Sequence, residues 1–218
     1  STFSKLPVDP LLMSQFTGIT DMISNDDQAQ IVYPETRNQQ VFAYTLYEDY
    51  KEVITIAFKE RTKPKRLRVY EILNKRMRLE KKHYNYYLNF DKGFTGECGI
   101  DEQTEQLGPN CLVLNDLQLE IRLAPFQIDT LLIGSNKMVL LEIKNFEGVH
   151  QWGERKLTKE SGLSLENPTL QVQKTQTRLE FLLESLGCQM RVEAYVVFIN
   201  PEFTLFNAPN DAGYILPS

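Results

Sequence analysis

Two apolar runs separated by a four-residue turn constrain this chain more than any other feature. Residues 126–133 and 138–144 flank Gly134-Ser135-Asn136-Lys137, a turn composition that reverses the chain between two strands. A hairpin closing symmetrically sets Ile133 against Met138, Leu131 against Leu140, Asp129 against Glu142 and Gln127 against Lys144, since each pair sums to the same number. Side chains alternate with period two, so these eight share one face, while Ile128, Thr130, Leu132, Val139, Leu141 and Ile143 share the other. One face is then mostly apolar. The other is apolar near the turn and polar only at its open end.

Carboxylates directly opposite each other lie about 4.5–5.5 Å apart at Cβ. They repel by roughly 3 kcal/mol at an effective dielectric near 20. A hard divalent cation with oxygen ligands turns that cost into affinity for Asp129 and Glu142, and Lys144, one pleat beyond Glu142, is placed to act on whatever the cation binds. The competing reading is a surface ion cluster with Lys144 paired to a carboxylate. The apolar flanks are too extensive for so exposed a hairpin.

The surrounding sequence supplies helices and further strands. Gly93-Phe94-Thr95-Gly96 leads into a helical run in which Glu97, Ile100, Thr104 and Leu107 share a face, so Glu97 points inward. Taken alone, it also reads as a first-turn glutamate favoured by the helix dipole. Asn167-Pro168 is a capping side chain followed by proline at the first helical position, and that helix runs to Gly187. On it Gln171 shares a stripe with Thr175, Leu179, Leu182 and Leu186, which turns its amide toward the core, either to orient Lys144 or a phosphate or as an interior hydrogen-bonded side chain. Val192–Ile199 reads as a buried strand closed by Asn200-Pro201, and Leu112–Leu114 with Leu117–Leu123 as one or two more. The order predicts an α/β core, a central mixed β-sheet flanked by helices.

The net charge of −5 hides an asymmetry, because residues 61–82 hold ten Lys or Arg against two Glu, a local +8 that leaves −13 elsewhere. After Pro64 this stretch has helical periodicity, with Leu67, Tyr70, Leu73 (or Asn74) and Met77 on one side, and it continues into Tyr84, Tyr86, Tyr87 and Phe90. Lys75, Arg76, Arg78, Lys81 and Lys82 are the candidates for contact with a nucleic-acid backbone. A solvated helix face is the alternative.

Several chemistries are disfavoured. Only His83 and His150 are present, few for a zinc site or a histidine-activated nucleophile, and no glycine-rich phosphate loop precedes a helix. Three cysteines without Cys-x-x-Cys spacing predict neither a disulfide framework nor structural zinc, and a reduced, cytoplasmic setting is expected. No apolar run approaches the eighteen or so residues of a membrane span. The start at Ser1 and the end at Leu216-Pro217-Ser218 read as a processed or truncated chain.

Ile128-Asp129 followed, after twelve residues, by Glu142-Ile143-Lys144 resembles the PD-(D/E)xK nuclease motif. More narrowly, Gly96-Glu97, Gln127-Ile128-Asp129, Glu142-Ile143-Lys144-Asn145 with Gly148, and Asn167-Pro168 with Gln171 resemble, in order and spacing, the NERD (nuclease-related) domain. The resemblance spans about residues 61–207 and implies a restriction-endonuclease-like core. It implies Glu97, Asp129, Glu142 and the carbonyl of Ile143 as holders of one or two Mg²⁺ or Mn²⁺ ions, Lys144 as the catalytic cation, and Gln127 and Gln171 in support. Related nucleases carry Gln-x-x-x-Tyr where this chain has Gln171 and Thr175, which leaves Gln171 a candidate and puts Thr175 in doubt. The implied activity is metal-dependent hydrolysis of DNA phosphodiester bonds in DNA processing or repair. The alternative is a non-catalytic nucleic-acid-binding or scaffold module on the same fold.

The expected organisation is an N-terminal extension over 1–60, a basic helical segment over 61–92 and the nuclease core over 93–218. In the extension, Pro10–Ile23 looks amphipathic, Val41–Tyr47 and Val53–Phe58 look like strands, and Asn25-Asp26-Asp27 and Pro34-Glu35 look like loops. It docks on the core or forms a homo-oligomer contact.

Overall fold

A computed structural model of the protein describes residues 57–108, 110–210 and 212–217. The expectations for the N-terminal extension therefore lie outside the described residues, apart from its last four. There Lys59 forms a single parallel bridge to Leu114.

Helices α1 (Lys65–Arg76) and α2 (Lys81–Thr104) come first, followed by β1 (Leu112–Ile121), β2 (Ala124–Ile133) and β3 (Lys137–Lys144). Then come β4 (Gly148–Gln151), β5 (Lys156–Lys159), β6 (Ser164–Glu166), α3 (Pro168–Ser185), β7 (Arg191–Phe198), β8 (Phe203–Phe206) and β9 (Tyr214–Ile215). The main sheet has the order β1-β2-β3-β7-β9, antiparallel through β3 and parallel from β3 to β9. This is the mixed sheet the sequence predicts. The link from β3 to β7 runs through β4, β5 and β6 and then through α3, and those three strands with β8, which follows β7, form a second sheet of order β6-β5-β4-β8.

Two cores result, one on each face. Val172, Leu179 and Leu183 of α3 pack with Leu131, Leu140, Val196 and Phe198, and Ile100 of α2 packs with Leu132, Val139, Leu141 and Val197. Fully burying each such side chain contributes about 1.5–3 kcal/mol. Phe198 stacks on Phe203 with ring centroids 4.1 Å apart, and His150 lies 5.0 Å from Phe203, which joins the second sheet to the main one and makes His150 a core residue.

The ends of α3 follow the sequence. Asn167 Oδ1 accepts the Thr169 N–H at 3.0 Å, Pro168 follows it, and Gly187 past the C-terminus has φ of 72°. Other expectations change. β1 is one strand ending at Ile121, because Arg122 and Leu123, both at positive φ, form a two-residue hairpin turn. On α1 only Leu67 is buried, while Leu73 and Met77 are exposed. Among the described residues, no helix is long and apolar enough to cross a membrane.

Candidate active site

The hairpin register is the one the turn predicts, from Ile133↔Met138 to Thr130↔Leu141, and there the ladder stops. β3 continues along β7 to Lys144↔Phe198, while β2 diverges. In the gap, Asp129 Oδ2 accepts the backbone N–H of Ile143 at 2.9 Å. An extended residue directs its N–H and C=O to the same edge, so the Ile143 carbonyl faces this gap as well.

The same level of the sheet is irregular on the other side of β2. The β1–β2 ladder passes from Asn115↔Thr130 to Leu117↔Ile128, skipping Asp116 opposite Asp129, and Asp116 has φ of 50°. Side-chain alternation breaks here, as it does at a bulge. Phe126 and Ile128 consequently lie in the same core as Leu131, although simple alternation puts them on opposite faces. For this reason the expected placement of Gln127 opposite Lys144 is not formed. Gln127 is exposed and donates to Asp116 Oδ1 at 3.0 Å, away from Lys144.

Glu142 and Lys144 stand two residues apart on β3 and meet at 2.7 Å, with the Glu142 side chain 5% exposed. The Lys144 ammonium also donates to Gln171 Oε1 at 3.3 Å, from the first turn of α3. Gln171 is not on the core stripe, which is Val172, Thr175, Leu179 and Leu183. It sits one position round the helix, exposed, and this lets its amide reach Lys144. Thr175 is buried and its hydroxyl donates to the Gln171 carbonyl.

Glu97 comes from the middle of α2, because the helix runs unbroken through Gly93 and Gly96, and the helix-start reading of this residue is thereby excluded. Gly96 is buried against the end of β3, where an added Cβ would lie 2.8 Å from Asn145 Cβ. Only a glycine permits so close an approach. Asn145 in turn donates to the Lys92 carbonyl and accepts from Asn200, so one polar side chain ties α2, β3 and the end of β7 together.

Arg61 is the residue the sequence misplaces. It opens the basic segment, yet its side chain is 3% exposed and bridges Glu97 at 2.6 Å and Asp101 at 2.9 Å. It donates further to the Asp129 carbonyl at 3.0 Å and to Thr130 Oγ1 at 2.9 Å. The signal available in sequence was its distance from the helix that follows, on the far side of Pro64.

Burial raises all four carboxylates of this cluster. Glu97 is pushed up to about 7 by desolvation and by the Asp129 charge, which outweigh an Arg61 shared with Asp101. Asp101 is raised by burial against the pull of Arg61. Asp129 is raised by burial against the Ile143 N–H and Lys144, and Glu142 by burial and by Asp129. These are carboxylates short of cations.

Among the described residues, no group of three or more His, Cys, Asp or Glu side chains is arranged to hold a metal ion. Glu97, Asp129 and Glu142 therefore do not form such a group, and Glu97 is bridged to Arg61. Two carboxylates and a main-chain oxygen remain at the gap. Such oxygen donors suit Mg²⁺ or Mn²⁺, for Mg²⁺ keeps several waters and is usually bound through one or two carboxylates.

The basic candidates lie elsewhere. Lys75 and Arg76 end α1, Arg78 follows it, and Lys81 and Lys82 begin α2, all five exposed. From Lys82 to Glu97 the helix rises about 22 Å. Lys82 lies over the Tyr86 ring, 6.0 Å from its centroid.

Residues 92–199 match the family model described as a nuclease-related domain. No curated protein matches the chain. The match takes in Glu97, Asp129, Glu142, Lys144 and Gln171 and leaves out Arg61 and the five basic residues. Over residues 92–199, the chain belongs to the nuclease-related domain (NERD) family.

Proposed function

We propose that this protein is a metal-dependent nuclease that hydrolyses DNA phosphodiester bonds. The observation that carries the reading is the gap between β2 and β3, where Asp129 and Glu142 face each other without enough positive charge while Lys144 is held beside them. Asp129, Glu142 and the Ile143 carbonyl would hold Mg²⁺ or Mn²⁺. The ion, when bound, supplies an activated water and neutralises phosphate charge. Lys144 presents an ammonium to the charge that develops on the phosphate, and Gln171 holds it in place. Lys75, Arg76, Arg78, Lys81 and Lys82 attract the DNA backbone at a distance from the reacting bond. Three free cysteines agree with a cytoplasmic setting.

Supercoiled plasmid incubated with the protein and Mn²⁺ should be nicked or linearised, and EDTA should stop it. Intact plasmid at all protein concentrations, with DNA nonetheless bound, would instead support a binding module on a nuclease fold. The engagement of Glu97 by Arg61 and of Glu142 by Lys144 favours that second reading.

A further inference from the structure

From its contacts, we infer that Arg61 is a permanent internal cation that withholds Glu97 from the metal, so that the site takes a single divalent ion through Asp129 and Glu142. This rests on the metal-dependent reading above. The guanidinium nitrogens reach Glu97, both oxygens of Asp101, the Asp129 carbonyl and Thr130 Oγ1, at 2.6–3.2 Å. A guanidinium does not lose its proton in a protein, so the charge is fixed whatever the pH. Its side chain is almost wholly buried, and displacing it would leave a desolvated cation and two carboxylates without partners. An incoming hydrated ion therefore meets Glu97 already engaged. Arg61 also joins α2 to β2 at the residue where the hairpin ladder breaks.

Arg61 does not exhaust the demand for positive charge. The carboxylates of Glu97, Asp101, Asp116, Asp129 and Glu142 outnumber Arg61 and Lys144, which leaves Asp129 and Glu142 in need of a cation while Arg61 occupies Glu97.

Mn²⁺ binding to the full chain, followed by electron paramagnetic resonance of the free ion and by calorimetry, tests this without turnover. The parent should bind one ion. Glu97→Gln, whose amide oxygen still accepts from Arg61, should change the affinity by less than about twofold, whereas Glu142→Gln should weaken it roughly tenfold or more. Arg61→Gln should admit a second, weaker ion. If that variant does not fold, the Glu97→Gln measurement still decides. Two ions in the parent, or a loss in Glu97→Gln as large as in Glu142→Gln, would overturn the role of Arg61 and leave the metal site standing. No Mn²⁺ binding by the parent would remove both.

Discussion

The Asp129 carboxylate accepts the Ile143 N–H at 2.9 Å, a side-chain oxygen standing where the hairpin ladder no longer supplies a backbone acceptor. That single bond lets two paired strands part without leaving a buried donor unsatisfied. It also fixes the carboxylate on the side of the gap that Glu142 faces. Opening the sheet and aiming the acid are one structural event.

If the gap is the reaction centre, Glu142→Gln and Lys144→Gln should each lower Mn²⁺-dependent plasmid nicking by at least about 10²-fold, the scale of losing one group that stabilises transition-state charge. Asp129→Asn should do the same while its amide oxygen keeps the Ile143 N–H. Circular dichroism should be unchanged in all three. Parent-level nicking by the Glu142 variant would remove it from the chemistry.

The same Asp129→Asn change tests the repulsion directly. Removing one of two facing charges should raise the melting temperature in EDTA, because a repulsion on the order of 1–3 kcal/mol after screening is relieved. Mn²⁺ should stabilise the parent by mass action and barely affect the variant. A less stable variant in EDTA would mean that the pairing with Lys144 dominates and that the cluster is structural.

Stability should also carry the sign of the raised carboxylates. Glu97 moves from the ordinary glutamate range up to about 7, and Asp101, Asp129 and Glu142 move in the same direction. The folded protein then binds more protons than the unfolded chain between about pH 4.5 and 7, so stability falls as pH rises through that window. Thermal melts in EDTA should show a lower melting temperature at pH 8 than at pH 5.5, and Mn²⁺ should narrow the difference. A melting temperature that climbs steadily across the window in EDTA would refute the assignment.

The five exposed cations at the α1–α2 junction make a separate claim. Replacing Lys75, Arg76 and Arg78 with Gln should weaken DNA binding and flatten the slope of log K against log salt by about 0.9 for each phosphate that is no longer neutralised. Fluorescence anisotropy across a salt series measures it. An unchanged slope would make the junction a solvated surface only.

What the sequence conveyed and what it did not follow from one physical distinction. Turn chemistry, the Asn167-Pro168 cap and the apolar runs act locally, so the register of β2 on β3 and the ends of α3 were legible from them. Period-two alternation fixed the faces only while the ladder was regular. The left-handed Asp116 and the skipped pair beside Asp129 reversed it, and Gln127 was misplaced with them. Arg61 was out of reach for another reason. Its partners are 36 to 69 residues away, and a charge count across 61–82 treats a buried bridge and a surface lysine alike.

Two glycines of α2 should respond to alanine with opposite signs. Gly93 has open space where a Cβ would go, so Gly93→Ala gains the helix propensity of alanine, up to about 1 kcal/mol. Gly96→Ala gains the same intrinsic term, but its Cβ would sit 2.8 Å from Asn145 Cβ and 3.2 Å from Ile199 Cγ2. Asn145 cannot yield easily, since it is bonded to both Lys92 and Asn200. Overpacking of this kind costs about 1–3 kcal/mol, which outweighs the propensity gain. The melting temperature should therefore rise by about 2–4 °C for the first variant and fall for the second, the scale of about 1 kcal/mol in a chain of this size. Because Glu97 is the next residue, Gly96→Ala should also disturb its bridge to Arg61, which Gly93→Ala should leave alone. Equal, positive shifts in both variants would show that α2 does not need its close approach to β3.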